Sequence, residues 1–151
     1  MQGTYEEPLK STRHGKLVVT ARGWSIQFYF PGPDGRYNGT FFNIAGADVR
    51  GYIEAYLDNW KEYHSLKKMI PKGGAFQKEG KKGMSINVGA SGIYADGICI
   101  NRWHMPINKL QDLEALVSCF WECIEKAEGI MLWLKTHDYP VKAPNSDASQ
   151  A

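Results

Sequence analysis

The stretch that decides the fold is Trp24-Ser25-Ile26-Gln27-Phe28-Tyr29-Phe30, where large apolar residues alternate with Ser, Gln and Tyr. Neighbouring side chains of a strand point to opposite faces, so this alternation predicts a strand with one buried face and one solvated face. Segments 16–21 and 37–44 share its aromatic and β-branched composition, and turn formers at 31–35 separate the last two segments. The sequence therefore predicts three adjacent strands.

After these strands the spacing of apolar residues lengthens to three and four, which indicates an amphipathic helix from Asp48 to about Lys68. The second half repeats the order, and its helix is expected to begin at Asn108 and to end at Gly129. Periodicity leaves open whether the apolar run 130–134 extends that helix or forms a strand. The strand candidates of the second half are segments 84–88, 93–96 and 98–103.

This order predicts an α+β fold of two strand-strand-strand-helix units, with antiparallel sheets and both long helices packed on one side. A length of 151 residues favours one domain, expected at 16–139 with pseudo-repeat halves at 16–68 and 76–129. Residues 1–15 are expected to be a flexible N-terminal arm, and residues 140–151 a disordered tail.

Several functional classes lack their signatures in this sequence. The longest apolar run is far shorter than the roughly 20 residues of a spanning helix, so no membrane contact is expected. Cys99, Cys119 and Cys123 form no extracellular disulfide pattern, which favours a reducing cytoplasmic location and buried, inert thiols. Cys119 and Cys123 lie four residues apart on one helical face and could supply two metal ligands, but no His or Cys pair elsewhere has partner spacing, so neither a metal nor a cofactor is expected.

The lysine-rich loop also fails the test for a phosphate-binding P-loop. Five residues separate Gly74 from Gly80 where that motif needs four, and Lys81 is followed by Lys82 in place of Ser or Thr. No Ser, Cys or carboxylate pair lies in a recognisable catalytic pattern either. The sequence is therefore expected to encode a protein that is not an enzyme.

Charge is distributed unevenly along the chain. The formal net charge is +2, but the segment 67–82 holds six lysines and one acid, Glu79. A focused cationic segment attracts polyanions, although such a segment can equally be a solvated connector. The sequence leaves both interpretations of this segment open.

The predicted sheets have faces of different character. If Ile26 faces the helices, alternation places Gln27 and Tyr29 on the opposite side, as it does Ser85 and Asn87 in the second half. Rings that stack on bases, amides that hydrogen-bond and peripheral cations are the ingredients of single-strand binding, to DNA or RNA. The candidate nucleic-acid-binding residues are Lys16, Arg22, Gln27, Tyr29, Arg36, Lys78, Lys81, Lys82, Arg102 and Trp103.

The segment Lys81-Lys82-Gly83-Met84-Ser85-Ile86 enters a predicted strand, within a doubled strand-rich-then-helix layout from Lys16 to Glu128. This layout resembles the single-stranded DNA-binding fold shared by Whirly proteins and the positive-cofactor transcriptional coactivators. The sequence differs in having three predicted strands per half where that fold has four, and segment 76–79 is a candidate for one more. The resemblance implies strand binding by backbone contacts and stacking, by a homo-oligomer whose helices pack together.

Two alternatives to strand binding stay open. A protein-binding module, such as a small inhibitor or accessory factor encoded by a mobile element, would expose Trp121 and Trp133, which are otherwise expected in the core. In that case Tyr29 and Trp103 would pack against a second sheet or subunit. A small-ligand binder would instead need a closed pocket between helices and sheet.

Overall fold

The computed structural model describes residues 3–11, 15–31, 37–92, 94–100 and 104–137. Two helices, α1 (Val49–Met69) and α2 (Leu110–His137), each follow four strands, so the predicted α+β class is confirmed. The strands are β1 (Thr4–Pro8), β2 (Gly15–Thr20), β3 (Gly23–Pro31), β4 (Tyr37–Ala45), β5 (Phe76–Glu79), β6 (Ser85–Val88), β7 (Gly97–Ile100) and β8 (His104–Ile107).

Each set of four strands forms its own antiparallel sheet, in which every strand pairs with the next along the chain. The prediction of three strands per half is therefore wrong. In the first half the additional strand is β1, which lies within the expected flexible arm and pairs with β2 from Thr4 opposite Thr20 to Pro8 opposite Lys16. Its sequence, Thr-Tyr-Glu-Glu-Pro, has too few apolar residues to indicate a strand.

In the second half the additional strand is β5, at the candidate segment 76–79, and the final strand differs from the predicted one. The prediction of a strand at 93–96 is wrong, because backbone hydrogen bonds between Ser91 and Tyr94 close a turn there. Strand β8 was not predicted, because Pro106 lacks an N–H group and is uncommon inside a strand. Its backbone is irregular as well, since Met105 has a positive φ of 54°.

Both helices extend beyond their predicted ends, α1 by one residue and α2 by eight. Gly129 lies inside α2 and not at its C-cap, so the segment 130–134 is helical. The extension exposes Trp133, which is 57% accessible, and Trp121 is 41% accessible. The prediction that these two tryptophans lie in the core is therefore wrong, whereas Trp60 is buried as expected.

The chain divides into two compact units, and their boundaries differ from the predicted halves. Unit 1 combines residues 1–49 with 119–151, so the first sheet is grouped with the C-terminal part of α2. Unit 2 is the continuous segment 50–118, which groups α1 with the second sheet. The expectation that both helices lie on one side of the sheets involves both units and stays a prediction.

In unit 1 the alternation seen in the sequence determines the buried face. Register places Leu17 opposite Ile26 and Ile26 opposite Ile44, and all three side chains are at most 1% accessible. On α2, Phe120 and Ala127 are fully buried. At the edge of this core Lys126 Nζ lies 2.8 Å from Glu7 Oε2, which links α2 to β1.

In unit 2, the buried side chains come from α1 and from the two central strands. Tyr56 and Tyr63 of α1 are fully buried, as are Met84, Ile86 and Ile98 near or on the sheet. The Tyr63 hydroxyl donates to Asp96 Oδ2 at 2.9 Å, which ties the loop before β7 to the helix. The apolar side of α1 thus belongs to the core of unit 2, together with the second sheet.

Candidate functional site

Three predicted site residues meet on the face of the first sheet opposite its apolar core. Lys16 of β2 pairs in register with Gln27 of β3. The Tyr29 hydroxyl donates to Gln27 Oε1 at 2.6 Å, and Lys16 Nζ lies 4.9 Å from the centre of the Tyr29 ring. Lys16 also forms an ion pair with Glu6 of β1. The face is polar, and its groups already bond to one another.

The Tyr29 ring is too enclosed to serve as a stacking platform in this conformation, because the residue is only 8% accessible. The hydrogen bond between Lys16 and Glu6 raises the pKa of Lys16, and the hydrogen bond with Tyr29 adds a smaller increase. The Lys16 ammonium group is therefore already paired with groups of its own unit. Arg22 is exposed in the turn between β2 and β3. Arg36, Arg102 and Trp103 lie outside the described residues.

The remaining three predicted residues, Lys78, Lys81 and Lys82, lie in unit 2 and contact α1. Lys78 forms an ion pair with Glu62, and Lys81 Nζ lies 2.7 Å from Asp58 Oδ2. Lys82 Nζ is 5.5 Å from the centre of the Tyr52 ring, a cation–π distance. These lysines are thus ordered along one side of α1.

A buried amide of α1 fixes the turn that carries Lys81 and Lys82. Asn59 is 1% accessible; its Oδ1 accepts from the Lys81 backbone N–H at 2.9 Å. Its Nδ2 donates to the Lys81 carbonyl at 3.2 Å and to Met84 Sδ at 3.3 Å. The close approach requires Gly80, where a Cβ atom would stand 2.7 Å from Asn59 Oδ1.

Beside this turn, a polar cavity of about 460 Å³ opens on the second sheet. In β5 the Lys78 side chain reaches α1, so alternation turns Gln77 and Glu79 to the other face. The cavity is lined by Gln77, Lys78, Glu79, Gly83, Met84, Ser85 and Tyr94. Of these residues Tyr94 is the aromatic one, and it comes from the loop between β6 and β7.

That loop also explains a departure from the sequence analysis. Ser85 and Asn87 were expected on an open face, yet they are 7% and 0% accessible. Ser85 Oγ donates to Asn87 Oδ1 at 2.6 Å, and Asn87 Nδ2 donates to the Ala95 carbonyl at 3.2 Å. The two carboxylate oxygens of Asp96 fix the loop: Oδ1 accepts from the Gly89 backbone N–H at 2.9 Å, and Oδ2 accepts from the Tyr63 hydroxyl. Asn87 is therefore closed off from solvent, whereas Gln77 and Glu79 of the neighbouring strand are exposed.

Of the residues that line this cavity, only Lys78 was among the predicted site residues, and the polar side chains of Gln77, Glu79 and Tyr94 were not. Gln77 and Glu79 are separated by Lys78 in a glycine-flanked segment where a strand was only a candidate. A two-residue alternation of Gln77 and Glu79 is the one signal that could have placed them on one face. Nothing local in the sequence places Tyr94 opposite them, since that follows from the loop geometry.

The two thiols of α2, Cys119 and Cys123, lie close enough to affect each other's pKa. All three cysteines are buried, as expected. The hydrogen bond between the two neighbouring thiols of α2, in which Cys123 is the donor, lowers the pKa of Cys119 and raises that of Cys123. Burial instead raises the pKa of Cys99 to about 11. Of the two thiols of α2, Cys119 is therefore the more acidic.

Comparisons of the chain with protein-family models, with curated proteins and with solved structures found no match. Within the described ranges, no group of three or more His, Cys, Asp or Glu side chains could hold a metal ion. Neither of the long helices, over the residues described, has the length and apolar character needed to cross a membrane. The cavity of unit 2 and its bordering lysines are accordingly the candidate site.

Proposed function

We propose that the protein is a non-catalytic, cytoplasmic nucleic-acid-binding protein that takes up an unpaired strand at the cavity of unit 2. The observation that carries this proposal is an open polar cavity of about 460 Å³ directly beside a lysine-rich segment. Pockets for small organic groups span roughly 300–1,000 Å³, so the space suits a nucleobase. Single-stranded nucleic acid supplies a base and a phosphate a few ångströms apart.

The chemistry of the cavity wall suits a base that has left a duplex. Tyr94 offers a ring for stacking, Gln77 an amide with donors and an acceptor, and Ser85 a hydroxyl oxygen. Stacking contributes about 1–3 kcal/mol per base, and it tolerates every base because each has a π-face. A duplex keeps its bases stacked and paired, so these groups favour single strands.

The lysines that would contact the phosphates of a bound strand are those that form no ion pair with a carboxylate. Glu62 and Asp58 neutralise Lys78 and Lys81, so these two lysines contribute less than the sequence suggests. The other lysines of the segment have no carboxylate partner within the described ranges, and they are Lys67, Lys68, Lys72 and Lys82. Lys82 borders the cavity through its neighbour Gly83.

The layout of elements adds support from the resemblance to the Whirly and positive-cofactor fold. That fold has four strands before each helix, and the chain has β1–β4 before α1 and β5–β8 before α2. The same resemblance implies a homo-oligomer, which belongs to the proposal.

The test is a titration of fluorescein-labelled dT oligomers and of duplex DNA at several salt concentrations, followed by anisotropy. We expect binding of the single strand with a negative salt slope, and weaker binding of the duplex. Lys72→Glu with Lys82→Glu should weaken binding and flatten the slope by about two phosphate contacts. The control, Lys109→Glu with Lys135→Glu, changes the net charge equally at exposed positions outside the lysine-rich segment and the cavity lining. Absence of binding to either polymer at low salt would refute the proposal.

A second candidate function, protein binding, is favoured by the exposed apolar residues of α2 in unit 1. Leu132 is 64% accessible, and the neighbouring Trp133 stacks on His137 with ring centres 4.4 Å apart. Large exposed apolar side chains are typical of protein interfaces. We expect Leu132→Ser with Trp133→Ser to abolish any self-association seen by light scattering, and to leave dT binding intact if the two functions use different units.

A further inference from the structure

We propose that the cavity of unit 2 recognises guanine, as the base of an unpaired strand. The inference rests on the proposed function and names the base that the cavity prefers. Glu79 is an exposed carboxylate that lines the cavity within an otherwise cationic segment. A carboxylate beside a phosphate-binding surface repels the backbone, so its favourable role is to accept hydrogen bonds from a base.

Glu79 is available for that role. The lysines adjacent to it in the fold are engaged with α1, Lys78 with Glu62 and Lys81 with Asp58. Among the hydrogen bonds and ion pairs of the described residues, none involves the Glu79 carboxylate. Register places Glu79 directly opposite Ser85, with its side chain on the cavity face of β5.

Base chemistry selects guanine from the four bases. Guanine presents two adjacent donors on its Watson–Crick edge, N1–H and N2–H, which match the two oxygens of a carboxylate in a charge-assisted, bidentate pair. Adenine and cytosine present one amino group next to an unprotonated ring nitrogen, whose lone pair the carboxylate repels. Thymine presents one N–H between two carbonyl oxygens, which is a worse match for an anion.

The other lining groups complete the match. Gln77 lies two residues before Glu79 on the same face of β5, so its amide can donate to the O6 acceptor of guanine. Tyr94 supplies the ring on which the purine stacks, and purines offer the larger π-surface. The arrangement thus holds an acceptor for N1–H and N2–H, a donor for O6 and a stacking ring in one cavity.

The experiment compares labelled 11-mers of dT that carry dG, inosine, dA or dC at the central position, at one salt concentration. We expect the dG oligomer to bind on the order of tenfold more tightly than dT alone, the usual scale for one bidentate base contact. Inosine lacks the N2 amino group and should lose most of that gain. Glu79→Gln should abolish the preference for dG over dA and dC, whereas the control Glu114→Gln, at an exposed site on α2, should keep that preference.

The outcomes separate the two levels of the inference. Equal affinity for all central bases, or a dG preference that survives in Glu79→Gln, would overturn guanine recognition and leave strand binding standing. Failure of every oligomer to bind would overturn the proposed function together with this inference. Guanosine monophosphate should compete only at concentrations far above those of the dG oligomer; equal potency would show that the ligand is a free nucleotide and refute a strand. Thermal melting followed by circular dichroism checks that both variants fold.

Discussion

Replacement of Asn59 by alanine tests whether one buried amide fixes the turn that carries Lys81 and Lys82, and with it the cavity beside that turn. The variant removes the acceptor for the Lys81 N–H and the donors to the Lys81 carbonyl and to Met84 Sδ. Each such hydrogen bond contributes about 0.5–1.5 kcal/mol, and the vacated space adds a further cost. We expect the free energy of unfolding to fall by about 2–4 kcal/mol.

Urea denaturation followed by far-UV circular dichroism gives the stability change. With an m value of about 2 kcal/mol/M, the midpoint should fall by about 1–2 M. Hydrogen exchange read by mass spectrometry should show faster exchange in peptides spanning 76–88, because the turn loses its attachment to α1. Gly80→Ala should produce the same local signature, since its methyl group would displace the Asn59 side chain.

The matched control is Asp58→Ala, one residue earlier on α1. It removes the solvent-exposed ion pair with Lys81 and leaves the buried amide in place. Exposed pairs contribute little, so the midpoint should change far less than in Asn59→Ala. A loss below about 1 kcal/mol in Asn59→Ala, or unchanged exchange at the turn, would refute the assignment of Asn59 as the organising residue.

Three further outcomes are expected. The hydrogen bond from Lys126, and then that from Tyr5, lowers the pKa of Glu7, so the stabilisation is present above the ordinary carboxyl pKa of 4.5 and is lost as pH falls; the stability difference between wild type and Glu7→Gln, from urea midpoints, should therefore shrink between pH 7 and pH 3. The pH at which iodoacetamide labels Cys119 at half its maximal rate, read by peptide mass spectrometry, should be higher in Cys123→Ala than in the wild type, because the thiol that donates to Cys119 is gone; identical pH profiles would contradict this. Tyr63→Phe removes one hydrogen bond to the loop carboxylate and should lower the free energy of unfolding by about 1–2 kcal/mol in thermal denaturation, and no loss would show that the loop is held otherwise.

The spacing of apolar residues and the positions of turn-forming residues were sufficient to predict most of the helices and strands. The alternation in β3 and the three-and-four spacing in α1 placed both elements within a few residues of their bounds. The strands missed were those in which alternation is weak. In β1 the residues are mainly polar, and in β8 a positive φ and a proline interrupt the pattern. Gly129 predicted a helix end, but glycine inside a helix costs only about 1 kcal/mol, and good helix formers flank it.

The candidate site was predictable only in part, because its geometry depends on contacts distant in sequence. Lys78, Lys81 and Lys82 were recognised from composition, but their partners on α1 lie 16 to 23 residues away for Lys78 and Lys81. The burial of Tyr29 follows from side-chain packing that alternation does not report. Tyr94 reaches the cavity through a loop whose course depends on the Asp96 hydrogen bonds.

The division of unit 1 into residues 1–49 and 119–151 has a consequence for synthesis on the ribosome. The first sheet emerges early, but the helical segment grouped with it emerges only after the whole of unit 2 has been made. Until then Leu17, Ile26 and Phe28 lack their cover, and nascent apolar surface of this kind invites aggregation. Unit 2 is continuous in sequence, so it can complete its own packing first. The rate of translation through residues 50–118 therefore determines how long the apolar face of the first sheet stays exposed.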